Sequence, residues 1–140
     1  MRAVIDTNVL ISGFISSRSS PAKVVDLWIA GKFEPVVCRG IIEEYSSVLI
    51  RDRFSVLGSV EERLDALSKL LSLGHVVLVA PQQKLDVIKD DPKDNIFLEC
   101  AVEGRCKLIV SDDRHLLGLK EYTGIKIVDA KEFLNLIQTF

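Results

Sequence analysis

The sequence predicts an α/β fold built on a parallel sheet with helices covering both faces. Two observations carry this expectation. Short apolar runs recur along the chain as buried strands do, and each is followed by a segment with helical start and stop residues. Strands alternating with helices in this way form parallel βαβ units, whose helices must lie on the faces of the sheet. The 140 residues suit one domain spanning 1–140, and a hydrophobic content of 48% supports a sizeable core.

The first strand is Arg2–Ile5, ending at Asp6-Thr7-Asn8. Val9–Ile15 reads as a short helix and Ser16–Ser20 as a polar loop. Ser20-Pro21 supplies an N-cap and a first-turn proline for a helix to about Ala30, with Gly31 as its stop. Pro35–Cys38 is the second strand and Gly40–Ile50 the next helix, with Arg51-Asp52-Arg53 leading out. Ser59-Val60-Glu61-Glu62 matches a capping box and opens a helix to about Leu73, closed by Gly74. Val76–Val79 is the third strand. Ala80–Pro92, with two prolines and three aspartates, is a loop. Lys93–Glu103 is a helix stopped by Gly104, Lys107–Val110 the fourth strand, and Asp112–Leu117 a short helix or turn. Ile125–Val128 is the fifth strand and Ala130–Ile137 the last helix.

Composition narrows the function classes. No apolar run approaches the roughly 20 residues that span a bilayer, and the apolar part of the N-terminus is too short for a signal peptide. A cytoplasmic protein that does not engage membranes is therefore expected. Cys38, Cys100 and Cys106 form no CxxC pair and are accompanied by only two histidines, which argues for reduced, buried thiols rather than structural zinc. A net charge of −2 gives no global basic field for nucleic acid. It leaves room for an enzyme that grips phosphates locally around an acidic metal site.

In open α/β sheets, ligands bind beyond the carboxyl ends of the strands. Asp6 follows the first strand and Ser111-Asp112-Asp113 the fourth. If these strands are neighbours, their ends lie about 5 Å apart and the carboxylates share one crevice. Capping of the following helices is the plain alternative for Asp6 and Asp112. The intervening helices add two acids. With Ile41 at zero and about 100° per residue, Ile42, Tyr45, Val48 and Leu49 form an apolar arc, Glu43 faces away near 200°, and Glu44 borders the arc near −60°. With Phe97 at zero, Asp94 falls near 60°, between Ala101 and Leu98, while Glu99 and Glu103 face water near 200° and 240°. Asp94 also stands in the first helical turn, where an anion is favoured. Carboxylates directed at a core boundary are costly unless compensated. Gathered without histidine or paired cysteine, they make an all-oxygen site suited to Mg²⁺ or Mn²⁺, cations that bind phosphate and activate water.

These residues resemble the PIN domain family. Val4-Ile5-Asp6-Thr7-Asn8-Val9-Leu10 looks like the family's opening signature. Glu43-Glu44-Tyr45, followed by Val48-Leu49 and Arg53-Phe54, resembles its second motif. Asp91-Pro92-Lys93-Asp94-Asn95 resembles the third, and Val110-Ser111-Asp112-Asp113 with Leu116-Leu117 the fourth. The match runs in order along nearly the whole chain, and the nearest group resembles the VapC-related toxins of toxin–antitoxin systems. The resemblance implies a three-layer α/β/α sandwich with five parallel strands ordered 3-2-1-4-5. It also implies Mg²⁺- or Mn²⁺-dependent cleavage of single-stranded RNA, with Asp6, Glu44, Asp94 and Asp113 as the acids. A small antitoxin protein and a homodimeric state are the partners it brings with it. The family often has Thr-Gly-Asp in its fourth motif where this chain has Ser111-Asp112-Asp113. Asp113 aligns with the usual acid, and Asp112 is left as an extra ligand or a helix cap. Thr7 or Asn8, and Ser111, would support the acids through hydrogen bonds.

Arg18, Lys93 and Arg114 flank the acids and could hold phosphates, with solvated surface charge as the alternative; Ser16–Ser20 could be a lid or a plain linker. Trp28 is expected in the core, His75 has no assigned role, and His115 reads as a surface residue. Three rivals are weighed. A phosphatase of the haloacid-dehalogenase type needs an acid two residues after Asp6, where Asn8 stands. A receiver-like signalling domain does not need Glu44 or Asp94. A PIN-fold protein that binds RNA or a partner without cutting would not need the intact acid set.

Overall fold

The computed structural model describes residues 1–138. Its strands are β1 (Arg2–Ile5), β2 (Glu34–Val37), β3 (Val77–Leu78), β4 (Leu108–Val110), β5 (Glu121–Tyr122) and β6 (Ile125–Val128). The helices are α1 (Thr7–Ile15), α2 (Ser20–Ile29), α3 (Arg39–Leu49), α4 (Val60–Leu71), α5 (Asn95–Glu103), α6 (Arg114–Leu119) and α7 (Ala130–Ile137), with 3-10 turns at Asp52–Leu57 and Pro92–Asp94.

The strands form one sheet in the order β3-β2-β1-β4-β6-β5. β1 pairs in parallel with β2 and β4, β2 with β3, and β4 with β6. The parallel part thus follows the expected order, with β6 as its fifth strand. The expectation of a purely parallel five-stranded sheet is corrected, because β5 adds an antiparallel edge beside β6 and makes the sheet six-stranded and mixed. The cause is a two-residue turn at Thr123 (φ 45°) and Gly124 (φ 87°), the positive-φ pair that folds a tight hairpin.

The three residues of β4 and the last three of β1 are buried, as in strands covered on both faces. α5 lies against β1, β2 and β4 and meets α3, while α2 packs against α1 and α7, completing a three-layer α/β/α sandwich. Trp28 is fully buried and stacks edge-on to Phe33, which does the same with Phe133.

Several local details differ from the sequence expectation. Ser19, not Ser20, caps α2, its hydroxyl accepting from the Ala22 amide. The expected helix from Lys93 begins as a 3-10 turn and becomes α-helical only at Asn95. Glu99 and Glu103 do not simply face water: they accept from the amides of Leu85 and Gln82, pinning the 80–91 loop against α5. His75, given no role, sits 2.6 Å from the Trp28 carbonyl at the end of α2. The capping box at Ser59 and Glu62 is formed as expected.

Candidate metal centre

The parallel ladder fixes where the first acid goes. Ile5 lies beside Val110, and the Asp6 amide donates to the Val110 carbonyl at 2.8 Å. β1 and β4 are therefore neighbours and their carboxyl ends adjoin. β3 and β4 lie on opposite sides of β1, so this crevice is the topological switch point of the sheet.

Asp6 is 4% exposed, and its side chain makes no capping bond to α1. It accepts instead from the Ser111 hydroxyl at 2.6 Å. The same hydroxyl accepts from the Asp113 amide at 2.9 Å, so Ser111 ties the end of β1 to the turn that carries the fourth-motif acids. Asp113 uses one oxygen, Oδ1, to cap α6 through the amides of His115 and Leu116. Capping and a place among the acids are therefore compatible for this residue. Asp112 is exposed and does not cap the helix.

Asp94 precedes α5 and is 9% exposed. Its side chain makes no capping bond, so capping does not account for its burial. Asn95 instead organises the segment, its side chain bonding the backbone of Val87, Ile88 and Pro92. Asp94 Oδ2 is buried without a hydrogen-bond partner, as is Thr7 Oγ1. Asp91, Asp94 and Asp113 each place a carboxylate oxygen within 4.8 Å of the others. Asp91 is the member that sequence reasoning quoted within a motif but did not assign. Its available signal was the Asp91-Pro92 dipeptide, since a residue before proline is pushed away from helical geometry and can turn back toward the third-motif acid.

Glu44 is half-buried on α3 and stands outside this three-acid group. Its neighbour Tyr45 is fully buried and donates to the Ile5 carbonyl, docking α3 at the end of β1. Glu43 is exposed and pairs with Arg39. Of the supporting residues expected from sequence, Ser111 donates to Asp6, the Thr7 hydroxyl makes no hydrogen bond, and Asn8 is exposed. Arg18, Lys93 and Arg114 are exposed, and His115 is half-buried with Nδ1 3.9 Å from Asp90.

The electrostatics of the crevice are those of crowded acids. Burial raises Asp6 to about 6, opposed by the Ser111 hydrogen bond and assisted by the charges of Asp112 and Asp113. Burial, followed by the charges of Asp113, Asp91 and Asp6, raises Asp94 to about 7. A divalent cation would remove both penalties. The donor set fits Mg²⁺ or Mn²⁺: all ligands are oxygens, one buried carboxylate oxygen lacks a partner, and the three carboxylates lie within 4.8 Å of one another.

The sequence pattern of the PIN domain matches residues 2–115, which takes in all four acidic segments. The chain belongs to the PIN domain family. It is 26% identical over 149 aligned positions to the uncharacterized protein MJ1680 of Methanocaldococcus jannaschii, covering all of this chain and 94% of that one. In fold it is similar to a chain in the crystal structure of VapBC2 from Rickettsia felis bound to a DNA fragment from their promoter. That superposition has a TM-score of 0.59 and 10% identity, over 91% of this chain and 97% of the other.

Proposed function

We propose that this chain is a single-domain, metal-dependent endoribonuclease that hydrolyses phosphodiester bonds of single-stranded RNA and serves as the toxin of a toxin–antitoxin pair. The observation that carries the reading is the Asp91–Asp94–Asp113 cluster, with the unpartnered Asp94 Oδ2 inside it and Asp6 held beside it by Ser111. The PIN family match supports the same chemistry.

Asp94, Asp113 and Asp91 are assigned to hold the cation, with Asp6 and Glu44 completing the acidic crevice and Asp112 at its exposed rim. Mg²⁺ or Mn²⁺ held by these carboxylates would supply positive charge for the phosphate and lower the pKa of a bound water. Ser111 fixes the Asp6 carboxylate while presenting the Asp113 backbone. Lys93 and Arg114 adjoin cluster members in sequence, and with Arg18 they are assigned to phosphates of the RNA. Similarity in fold to a chain of the VapBC2 structure supports a small antitoxin protein as partner. The reading places the protein's action in the cytoplasm; among the described residues no helix is long and apolar enough to cross a membrane.

The test is cleavage of single-stranded RNA by the purified chain with Mn²⁺, with Mg²⁺, or with EDTA. Cleavage that requires either cation and disappears in Asp6→Asn is the expected result. Activity unchanged in excess EDTA sinks the mechanism. RNA that is bound but left intact under every metal condition points to a PIN-fold binding protein instead.

A further inference from the structure

α5 runs back along β2 and the start of α3 in a close ladder. A Cβ on Gly104 would stand 2.6 Å from Val36 Cγ1, and a Cβ on Gly40 would overlap Ile96 Cδ1. The two glycines therefore set how near the helix comes to the β2–α3 junction. Positions 36, 38 and 40 face positions 104, 100 and 96 in turn. Cys100 is one helical turn beyond Ile96, on the same face of α5. The middle rung of this ladder is thus Cys38 against Cys100.

The ladder sets the two thiols opposite one another, and each is the largest influence on the other's proton affinity. Cys38 is also the N-cap residue of α3, although its side chain makes no capping hydrogen bond there. The Cys100 thiol holds Cys38 well below the usual thiol range although burial opposes it. Cys100 is driven the other way, so it keeps its proton. Cys106 provides an internal contrast, since burial pushes it up to about 12. Beside Cys38 opens a cleft of about 550 Å³, walled by Leu78, Pro81, Lys84, Ile96 and Glu99. Cys38 itself is only 2% exposed, which restricts access to reagents near the size of water.

We propose that Cys38 and Cys100 form a peroxide-reactive modification site, with Cys38 as the attacking thiol and Cys100 as its resolving partner. The Cys38 thiolate attacks one oxygen of hydrogen peroxide. An S–O bond forms, the O–O bond breaks, and hydroxide leaves and takes up a proton. The Cys100 sulfur then attacks the sulfenic sulfur of Cys38, forming the S–S bond, while the displaced oxygen departs as water with the Cys100 proton. Two thiols lose two electrons and two protons, and one peroxide becomes two waters. The site uses none of the acids of the metal centre and stands independently of the nuclease reading.

The test is treatment of the folded, metal-free wild-type chain with hydrogen peroxide, followed by non-reducing peptide mapping. A cross-linked Cys38–Cys100 peptide, reversible by dithiothreitol, is expected. Cys106 should be modified more than about tenfold more slowly than Cys38. In Cys100→Ser, the sulfenic acid should persist at Cys38 and be trapped by dimedone. Should that variant not fold, the wild-type map decides alone. Equal oxidation of Cys106 and Cys38, or a Cys38 thiol that stays free under peroxide while the fold is intact by circular dichroism, overturns the proposal.

Discussion

Arg63 and Asp94 are almost equally buried, at 6% and 9% exposure, yet the chain treats them in opposite ways. The Arg63 guanidinium donates from Nε to the Gly58 carbonyl at 3.0 Å and from Nη1 to the carbonyls of Leu49 and Arg51 at 2.8 and 3.1 Å. Those carbonyls lie at the end of α3 and along the 3-10 connection, so one cation closes the joint between α3 and α4. Asp94 has a buried oxygen with no partner, and its surroundings are other acids. A buried charge satisfied by the chain itself is part of the scaffold. One left unsatisfied among like charges is held in place by the fold around it and completed from outside.

The largest expected effect comes from the satisfied charge. Arg63→Met keeps the bulk of the stem but removes the donor to the buried Leu49 carbonyl and to the part-buried carbonyls of Arg51 and Gly58, and should cost about 2–4 kcal/mol in denaturant unfolding. The variant that remains folded should keep the wild-type rise in melting temperature with Mn²⁺, because Arg63 takes no part in the acid cluster. A loss of the metal response without a loss of stability would break the contrast.

Asp94→Asn should do the reverse. The Asp94 pKa is raised from 3.8 to about 7, so the folded state binds this proton more tightly than the unfolded chain does. The associated stability is fully present below 3.8 and is lost as pH rises through about 7. Asp6, raised to about 6, acts in the same sense. In EDTA the wild-type protein should therefore lose stability between pH 4 and 7.5 more steeply than Asp94→Asn. Because the acids share their repulsion and water still reaches the cluster, the variant's gain at pH 7.5 should be roughly 1–2 kcal/mol. It should also lose most of the Mn²⁺-induced shift in melting temperature. Parallel pH profiles for the two proteins would show that Asp94 does not carry the cluster's strain.

The contrast also separates what was legible in the sequence from what was not. Asp6 and Ser111 could be read because strand ends are marked by the switch from apolar to polar residues, and strand neighbours do the rest. Asp94 was placed near the core by helical phase, although the backbone there is a 3-10 turn rather than the assumed α-helix. Phase failed for Glu99 and Glu103 because the outer face of α5 is covered by the 80–91 loop, a long-range contact that periodicity cannot register. Asp91 was hidden in that same irregular loop. β5 was missed because two residues are too few to show a period, although Thr123-Gly124 marked the turn. The role of Arg63 was equally invisible, since an arginine within α4 reads as an ordinary surface residue until its partners are known.

The smallest predicted effect belongs to Glu43, and its value is as a control for its neighbour. Glu43 and Glu44 are adjacent and chemically identical, but about 100° apart around α3. Glu43 is exposed and engaged with Arg39 at 3.1 Å, a surface pair of the kind whose removal costs under about 0.5 kcal/mol. Glu44 is half-buried, and the next side chain, Tyr45, bonds the carbonyl of the residue that precedes Asp6. Its carboxylate lies outside the three-acid group, so any effect on the cation is exerted from the rim of the crevice. Glu44→Gln keeps size and hydrogen bonding but removes the charge, and should lower RNA cleavage by about tenfold or more. Glu43→Gln should leave the rate within a few-fold of wild type, with both variants folded by circular dichroism. Equal effects from the two would mean that α3 does not deliver Glu44 to the site, leaving the acids of β1, α5 and the β4–α6 turn to act without it.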